Sequence, residues 1–135
     1  MAAKQNIETI ETVYAAFGRG DVDTIVANVT DDVDWGTDSS STGAPWYGFR
    51  HGKDGVTSFF ADFGKAMDVE DFTPLTFAAN DDDVLTVVRF RTRSRATGKV
   101  ADMQLHHWFH FRDGKIAYYR GSEDTAIAVA TVTEG

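Results

Sequence analysis

The apolar residues change period part-way along the chain, and that change limits the folds open to it. Up to Met67 they recur at steps of three and four, the signature of helices with one buried stripe. Ile7, Ile10, Val13, Tyr14 and Phe17 define a helix over about 5–18, ended by Gly18-Arg19-Gly20. Asp21 stands where an N-cap belongs, ahead of a shorter stripe of Val22, Ile25, Val26 and Val29. Val56, Phe59, Phe60, Phe63 and Met67 mark a third helix over 53–67. Beyond Met67 the period falls to two. Residues 83–95 alternate Val84, Thr86, Val88, Phe90 and Thr92 against Leu85, Val87, Arg89, Arg91, Arg93 and Arg95. Thr97-Gly98 and Asp113-Gly114 read as hairpin turns leading to strands over 99–112 and 115–123. A further strand over 68–79 carries Pro74, which points to an edge or a bulge. Helices first and an antiparallel run afterwards predict an α+β fold. Three N-terminal helices pack on one face of a strongly curved, mostly antiparallel sheet, in a single domain over 1–135.

Between these elements, Val33-Asp34-Trp35 reads as a short strand and 36–52 as a loop long enough to be functional or mobile. The segment from Asp124 onward is a short helix or a tail.

Composition narrows the function classes. Thirteen Lys+Arg against 21 Asp+Glu leave a net charge of −8, which argues against nucleic acid or a membrane surface as partner. The absence of Cys removes thiolate catalysis and thiolate metal sites. The opening residues lack the apolar core of a secretory signal, so the expected location is cytoplasmic. Ten Phe, 4 Tyr and 3 Trp beside 2 Pro supply a large apolar volume for a small protein.

The sequence resembles a known family at several points: Tyr-Ala-Ala-Phe-Gly-Arg-Gly-Asp at 14–21, Asp-Asp-Val-Asp-Trp at 31–35, Thr-Gly-Lys at 97–99, His-Trp-Phe-His-Phe-Arg-Asp-Gly-Lys-Ile at 107–116 and Glu-Asp-Thr-Ala at 123–126. It looks like the SnoaL-like branch of the nuclear transport factor 2-like superfamily, which includes ketosteroid isomerase, limonene epoxide hydrolase and SnoaL-type polyketide cyclases. The resemblance implies a cone-shaped roll around a deep apolar pocket, a homodimer, and chemistry that needs no cofactor. It also implies where polar groups would sit. The epoxide hydrolase arginine and aspartates fall at Val88, Phe90 and Gly121, so that route has no base here. The cyclase aspartate also falls at Gly121, with Glu123 and Asp124 the nearest carboxylates, and Asp124 reads as a cap or turn residue. The ketosteroid isomerase base falls at Thr37, between Asp34 and Asp38; its tyrosine falls at Val13, beside Tyr14; its acid falls near His107.

Pairing Ala96 with Lys99 would set Phe90 opposite Leu105, Val88 opposite His107 and Thr92 opposite Met103. Continuing through Asp113-Gly114 adds Phe109, Phe111, Tyr118 and Arg120 to the same face, with Arg120 displaced if the last strand is bulged. The pocket for a small apolar organic ligand is therefore expected to use Val88, Phe90, Met103, Leu105, Trp35, Phe59, Phe63 and Arg120. His107 is the expected acid–base group, assisted by Asp34 or Asp38, with Tyr14 as hydrogen-bond donor. No metal site is expected: His106 and His107 point to opposite faces, and His106 and His110 lie roughly 13 Å apart along a strand. On the other sheet face, Trp108 with Val87 and Leu85 predicts burial by a second copy. Two functions fit: proton-transfer chemistry (isomerisation, cyclisation or dehydration), or a noncatalytic module that binds a small ligand or a protein.

Overall fold

The computed structural model describes residues 2–133. The elements are α1 (Ala2–Gly18), α2 (Val22–Ala27), β1 (Val29–Thr37), β2 (Phe49–His51), α3 (Gly52–Ala66), β3 (Met67–Ala79), β4 (Asp83–Ser94), β5 (Val100–Arg112), β6 (Lys115–Ser122) and α4 (Thr125–Val132). Asp21 caps α2, its carboxylate accepting from Thr24 N–H at 3.1 Å. Asp124 caps α4, accepting from Ile127 N–H at 3.1 Å, so the C-terminal segment is a helix rather than a tail.

One sheet of six strands runs β2-β1-β6-β5-β4-β3. Every neighbouring pair is antiparallel except β1 and β6, which run parallel. On β4 the side chains of Val84, Thr86, Val88, Phe90, Thr92 and Ser94 are buried. Ile10, Val13 and Tyr14 of α1 and Val56, Phe59 and Phe63 of α3 belong to the same core. The helices and this sheet face thus bury their stripes against each other, and that burial is the main force holding the layers together. Among the described residues no helix is long and apolar enough to cross a membrane.

Four local features differ from the sequence reading. First, the β4–β5 register is displaced by two residues: Phe90 pairs with Met103, Val88 with Leu105 and Thr86 with His107. The turn at 95–98 is wider than a two-residue hairpin. Ser94 N–H donates to Lys99 O and Gly98 N–H to Ser94 O, each at 2.9 Å, and Gly98 takes φ 74°. A shift of two keeps every side chain on its face.

Second, a bulge falls between His110 and Phe111 in the β5–β6 ladder: His110 pairs with Tyr118, but Phe111 with Ile116. The extra residue, Ala117, turns Tyr119 inward and sends Tyr118 and Arg120 to the outer face. Third, β1 is longer than 33–35, and part of the expected loop is strand. Gly36 and Thr37 belong to β1, and β2 pairs with it. A Cβ at Gly36 would lie 2.6 Å from the Phe49 ring, so glycine is what lets β2 approach. Fourth, Val29 begins β1 instead of ending α2.

The outer-face arginines are neutralised within the chain. Arg91 and Arg93 both reach Glu70, at 3.0 and 2.9 Å, and Arg89 lies 3.3 Å from Asp102 and 3.7 Å from Asp71.

Candidate active site

The helices and the sheet do not close completely on each other. A cavity of about 70 Å³ remains between α1, α3 and the sheet. Several water-sized guests fit a space of that order, and a ring-sized ligand also needs the side chains of the wall to move aside. Its wall is mostly aromatic. Phe17 comes from α1, Phe59, Phe60 and Phe63 from α3, Trp35 from β1, Phe72 from β3, Phe90 from β4, Phe109 from β5 and Trp46 from the 38–48 segment. These rings brace one another. Trp46 meets Phe63 edge-on at 5.1 Å, Phe63 stacks on Phe90 at 5.9 Å, and Trp35 lies 4.2 Å from Tyr119.

Against this background the polar groups are few. Tyr14 Oη lies 2.7 Å from His107 Nδ1 and 2.6 Å from Thr86 Oγ1. The β4–β5 register creates this contact by placing Thr86 directly opposite His107. Burial pushes His107 down to about 3, with the neighbouring His106 charge acting in the same sense. The imidazole is therefore neutral at pH 7. Nδ1 is engaged by Tyr14, and no hydrogen bond to Nε2 is made among the described residues; the fully buried atom left without a partner there is Trp35 Nε1. When Tyr14 O–H donates to Nδ1, Nε2 carries the hydrogen and can donate to a ligand oxygen; in the other tautomer Nε2 accepts. Burial likewise raises the Tyr14 phenol, with the Thr86 hydrogen bond pulling the other way.

A second polar group stands beyond the end of β6. Glu123 Oε2 accepts from Tyr47 O–H at 2.9 Å, and the Trp46 indole N–H acts on the same carboxylate. Burial raises Glu123; the Tyr47 and Trp46 donors oppose the shift, and the Asp124 charge adds to it. The segment carrying Trp46 and Tyr47 is held to α3 by Arg50, which reaches Asp62 at 2.7 Å, Ser58 at 3.0 Å and Pro45 O at 3.1 Å. Between the two polar groups lies Gly121, paired with His107. A Cβ there would collide with the Tyr119 hydroxyl.

Of the residues expected in the pocket, Tyr14, Trp35, Phe59, Phe63, Phe90, Leu105 and His107 line the cavity. Val88 is fully buried and Met103 half-buried in the surrounding core, and neither reaches the cavity wall. Arg120 is on the outer face because of the β6 bulge; its guanidinium lies 4.4 Å from both the Phe49 and Tyr118 rings and reaches Asp34 at 2.9 Å. Asp34 faces outward because Trp35, next to it on the strand, faces in. Asp38 is exposed past the end of β1, its N–H donating to Gly121 O at 2.7 Å. Neither aspartate approaches His107 as a partner. The sequence reading missed Thr86, Tyr119, Trp46 and Tyr47 at the site, and it considered Glu123 only as a neighbour of position 121. The Trp46-Tyr47 pair inside a loop was an available signal, since two large rings seldom stay in water.

A family model of the SnoaL-like domain matches residues 10–119. The chain belongs to the SnoaL-like family. Solved structures agree on the fold. An NTF2-like protein of unknown function from Burkholderia pseudomallei superposes with a TM-score of 0.88 at 22% identity, covering 96% of this chain and 98% of that one. TerC, co-crystallised with polyporic acid, gives 0.83 at 24% identity over 95% and 98% of the two chains. A candidate polyketide cyclase from Xanthomonas campestris pv. campestris gives 0.81 at 18% identity over 98% and 100%. No curated protein matches the sequence. At these identities the SnoaL-like neighbours establish the architecture, and the chemistry has to be argued from the cavity.

Proposed function

We propose that this SnoaL-like protein is a cofactor-independent enzyme that moves a proton on a small, largely apolar, oxygenated organic molecule, in an isomerisation, cyclisation or dehydration. The observation that carries the reading is the 2.7 Å contact between Tyr14 and His107 inside an aromatic cavity. It fixes the imidazole ring and leaves Nε2 as a polar group for a ligand. Because His107 stays neutral, its part is to hydrogen-bond a carbonyl or enol oxygen rather than to supply a cationic acid. A fixed donor in a water-poor site stabilises negative charge developing on that oxygen. The aromatic wall supplies affinity through buried apolar area. The polyporic acid complex of TerC and the polyketide cyclase neighbour support an organic ligand for this fold.

A noncatalytic binding role is the second reading. It is favoured by Gly121, which offers no side chain where the cyclase resemblance expects an aspartate. We also propose that two copies pair through the outer sheet face around Trp108.

The two readings separate with β-tetralone, an aromatic ketone with exchangeable protons beside its carbonyl. In D₂O the wild-type protein should speed deuterium uptake, read by mass spectrometry, and His107→Leu should slow it about 100-fold, the usual loss for one such donor. If β-tetralone quenches the cavity tryptophans but exchanges no faster than in buffer, the protein is a binding module.

A further inference from the structure

We infer that Glu123 is the group that takes and returns the proton in this cavity, with Tyr47 as its positioning residue. This rests on the proton-transfer reading above and assigns the base that reading lacks.

The assignment begins with exclusion at position 121. Gly121 faces His107 across the β5–β6 ladder, and the space its side chain would occupy is filled by the Tyr119 hydroxyl. No carboxylate fits there without displacing Tyr119. Asp34 is committed to Arg120 on the outer face, and Asp38 stands exposed beyond β1. Among the described residues Glu123 is the one carboxylate lining the cavity. It stands two positions beyond Gly121, so it shares the cavity wall with His107 without touching it. Tyr47 O–H binds one carboxylate oxygen, Oε2, at 2.9 Å and fixes the plane of the group.

The surroundings suit a base. The titratable groups facing Glu123 are few: the neutral phenols of Tyr47, from the 38–48 segment, and Tyr119, from β6, and the carboxylate of Asp124 at the cap of α4. Burial makes its carboxylate hold a proton more strongly than a solvated one, which strengthens it as a base once ionised. His107 remains neutral, and burial raises the phenols of Tyr14 and Tyr119, so those groups do not compete for the proton.

The step balances without a co-reactant. A Glu123 carboxylate oxygen takes a proton from the carbon beside a ligand carbonyl. The C–H electron pair becomes the new C=C bond, and the carbonyl π pair moves onto oxygen, which His107 Nε2–H stabilises. The carbonyl re-forms as Glu123 returns the proton to a conjugated carbon, giving isomerisation, or, after its carboxyl proton has traded places with one from solvent, delivers that solvent proton to the same carbon, giving exchange.

Deuterium uptake by β-tetralone in D₂O tests this. Glu123→Gln should lower the rate about 100-fold, within the range for a lost general base, while β-tetralone still quenches the tryptophans. In the wild type the rate should fall on acidification, with a midpoint above the ordinary carboxylate range. Tyr47→Phe removes a hydrogen bond that favours the ionised carboxylate, so that midpoint should move upward. If Glu123→Gln fails to fold, the Tyr47→Phe midpoint decides: an upward move supports the assignment and an unmoved one overturns it. Unchanged exchange in Glu123→Gln, with exchange lost in His107→Leu, overturns the role of Glu123 and leaves the proton-transfer reading standing. A wild type no faster than buffer overturns both.

Discussion

Tyr14 and His107, 93 residues apart in the chain, meet through a 2.7 Å hydrogen bond in the centre of the fold. The same hydroxyl bonds Thr86 at 2.6 Å, so one phenol satisfies two buried polar groups. Tyr14→Phe keeps the ring contacts with Phe72 and Phe109 and removes only this oxygen. Two buried polar atoms then lose a partner, and the expected cost is about 1–3 kcal/mol. Urea unfolding should show a lower midpoint with an unchanged slope. A variant as stable as the wild type would mean that the hydrogen bond is already replaced by water in solution.

Acid should destabilise the protein through His107. Unfolded, this histidine titrates near 6.5; folded, burial holds it down to about 3. As the pH falls below 6.5 the unfolded state takes up the proton first. The stability the neutral form contributes is therefore present above that value and declines by about 1.4 kcal/mol per pH unit on the way down. Glu123 has the opposite sign: its pKa is raised, so its contribution is present at low pH and is lost as the pH rises through the folded value. Above about pH 5 most other carboxylates stay ionised in both states, so what remains there is the Glu123 slope and, opposing it, the His107 slope. Comparing wild type with His107→Gln by denaturant titration isolates it. Parallel pH dependences for the two proteins would show that the site opens to water before it titrates.

Gly121 and Tyr119 should behave as a coupled pair. A Cβ at 121 collides with the Tyr119 hydroxyl and lies 3.5 Å from His107 Cδ2. Gly121→Ala should cost about 1–3 kcal/mol as an overpacking change. Tyr119→Phe removes the colliding oxygen, so the double variant should recover part of that loss. A double-mutant cycle measures this as a coupling outside additive error, about 0.5 kcal/mol. Additive effects would place the Tyr119 ring elsewhere in solution.

What could be read from the sequence follows the reach of each physical signal. Periodicity reports which face a residue takes within one element, and it placed Tyr14, Phe59 and Phe63 on buried helix faces and Phe90, Leu105 and His107 on a buried sheet face. It fails where one backbone residue breaks the count. Ala117 leaves no mark in the alternation of β6, so alternation alone puts Tyr118 and Arg120 inward, and the bulge that would displace Arg120 is visible only in the structure, which sends both outward. Thr86 became a partner of His107 through a two-residue register that depends on the width of the 95–98 turn. Composition could flag Trp46 and Tyr47 as unsuited to open water, but their contacts with Phe63 and Glu123 depend on how Arg50 holds the segment to α3. The fold class needed only the order and period of the elements; the polar geometry of the cavity needed a bulge, a turn and a salt bridge.

The outer face of the sheet leads to a prediction about assembly. Trp108 is 43% exposed and Leu85, its cross-strand partner, 52% exposed. Trp108 is nevertheless held in place, with Nε1 donating to Asp83 at 2.8 Å and its ring 5.1 Å from Tyr118. A large ring ordered in water costs solvation free energy that a second copy would recover. A stable interface takes about 800 Å² from each partner, more than these side chains supply, so the neighbouring arginine row must lie within it. Those arginines are already paired with Glu70, Asp71 and Asp102, which lowers the cost of bringing two such rows together. Size-exclusion with light scattering should give twice the chain mass at micromolar protein. Leu85→Glu, which sets a carboxylate among apolar rings at the centre of the patch, should give the single-chain mass without loss of fold. A wild type that stays single-chain across that range rules out pairing through this face.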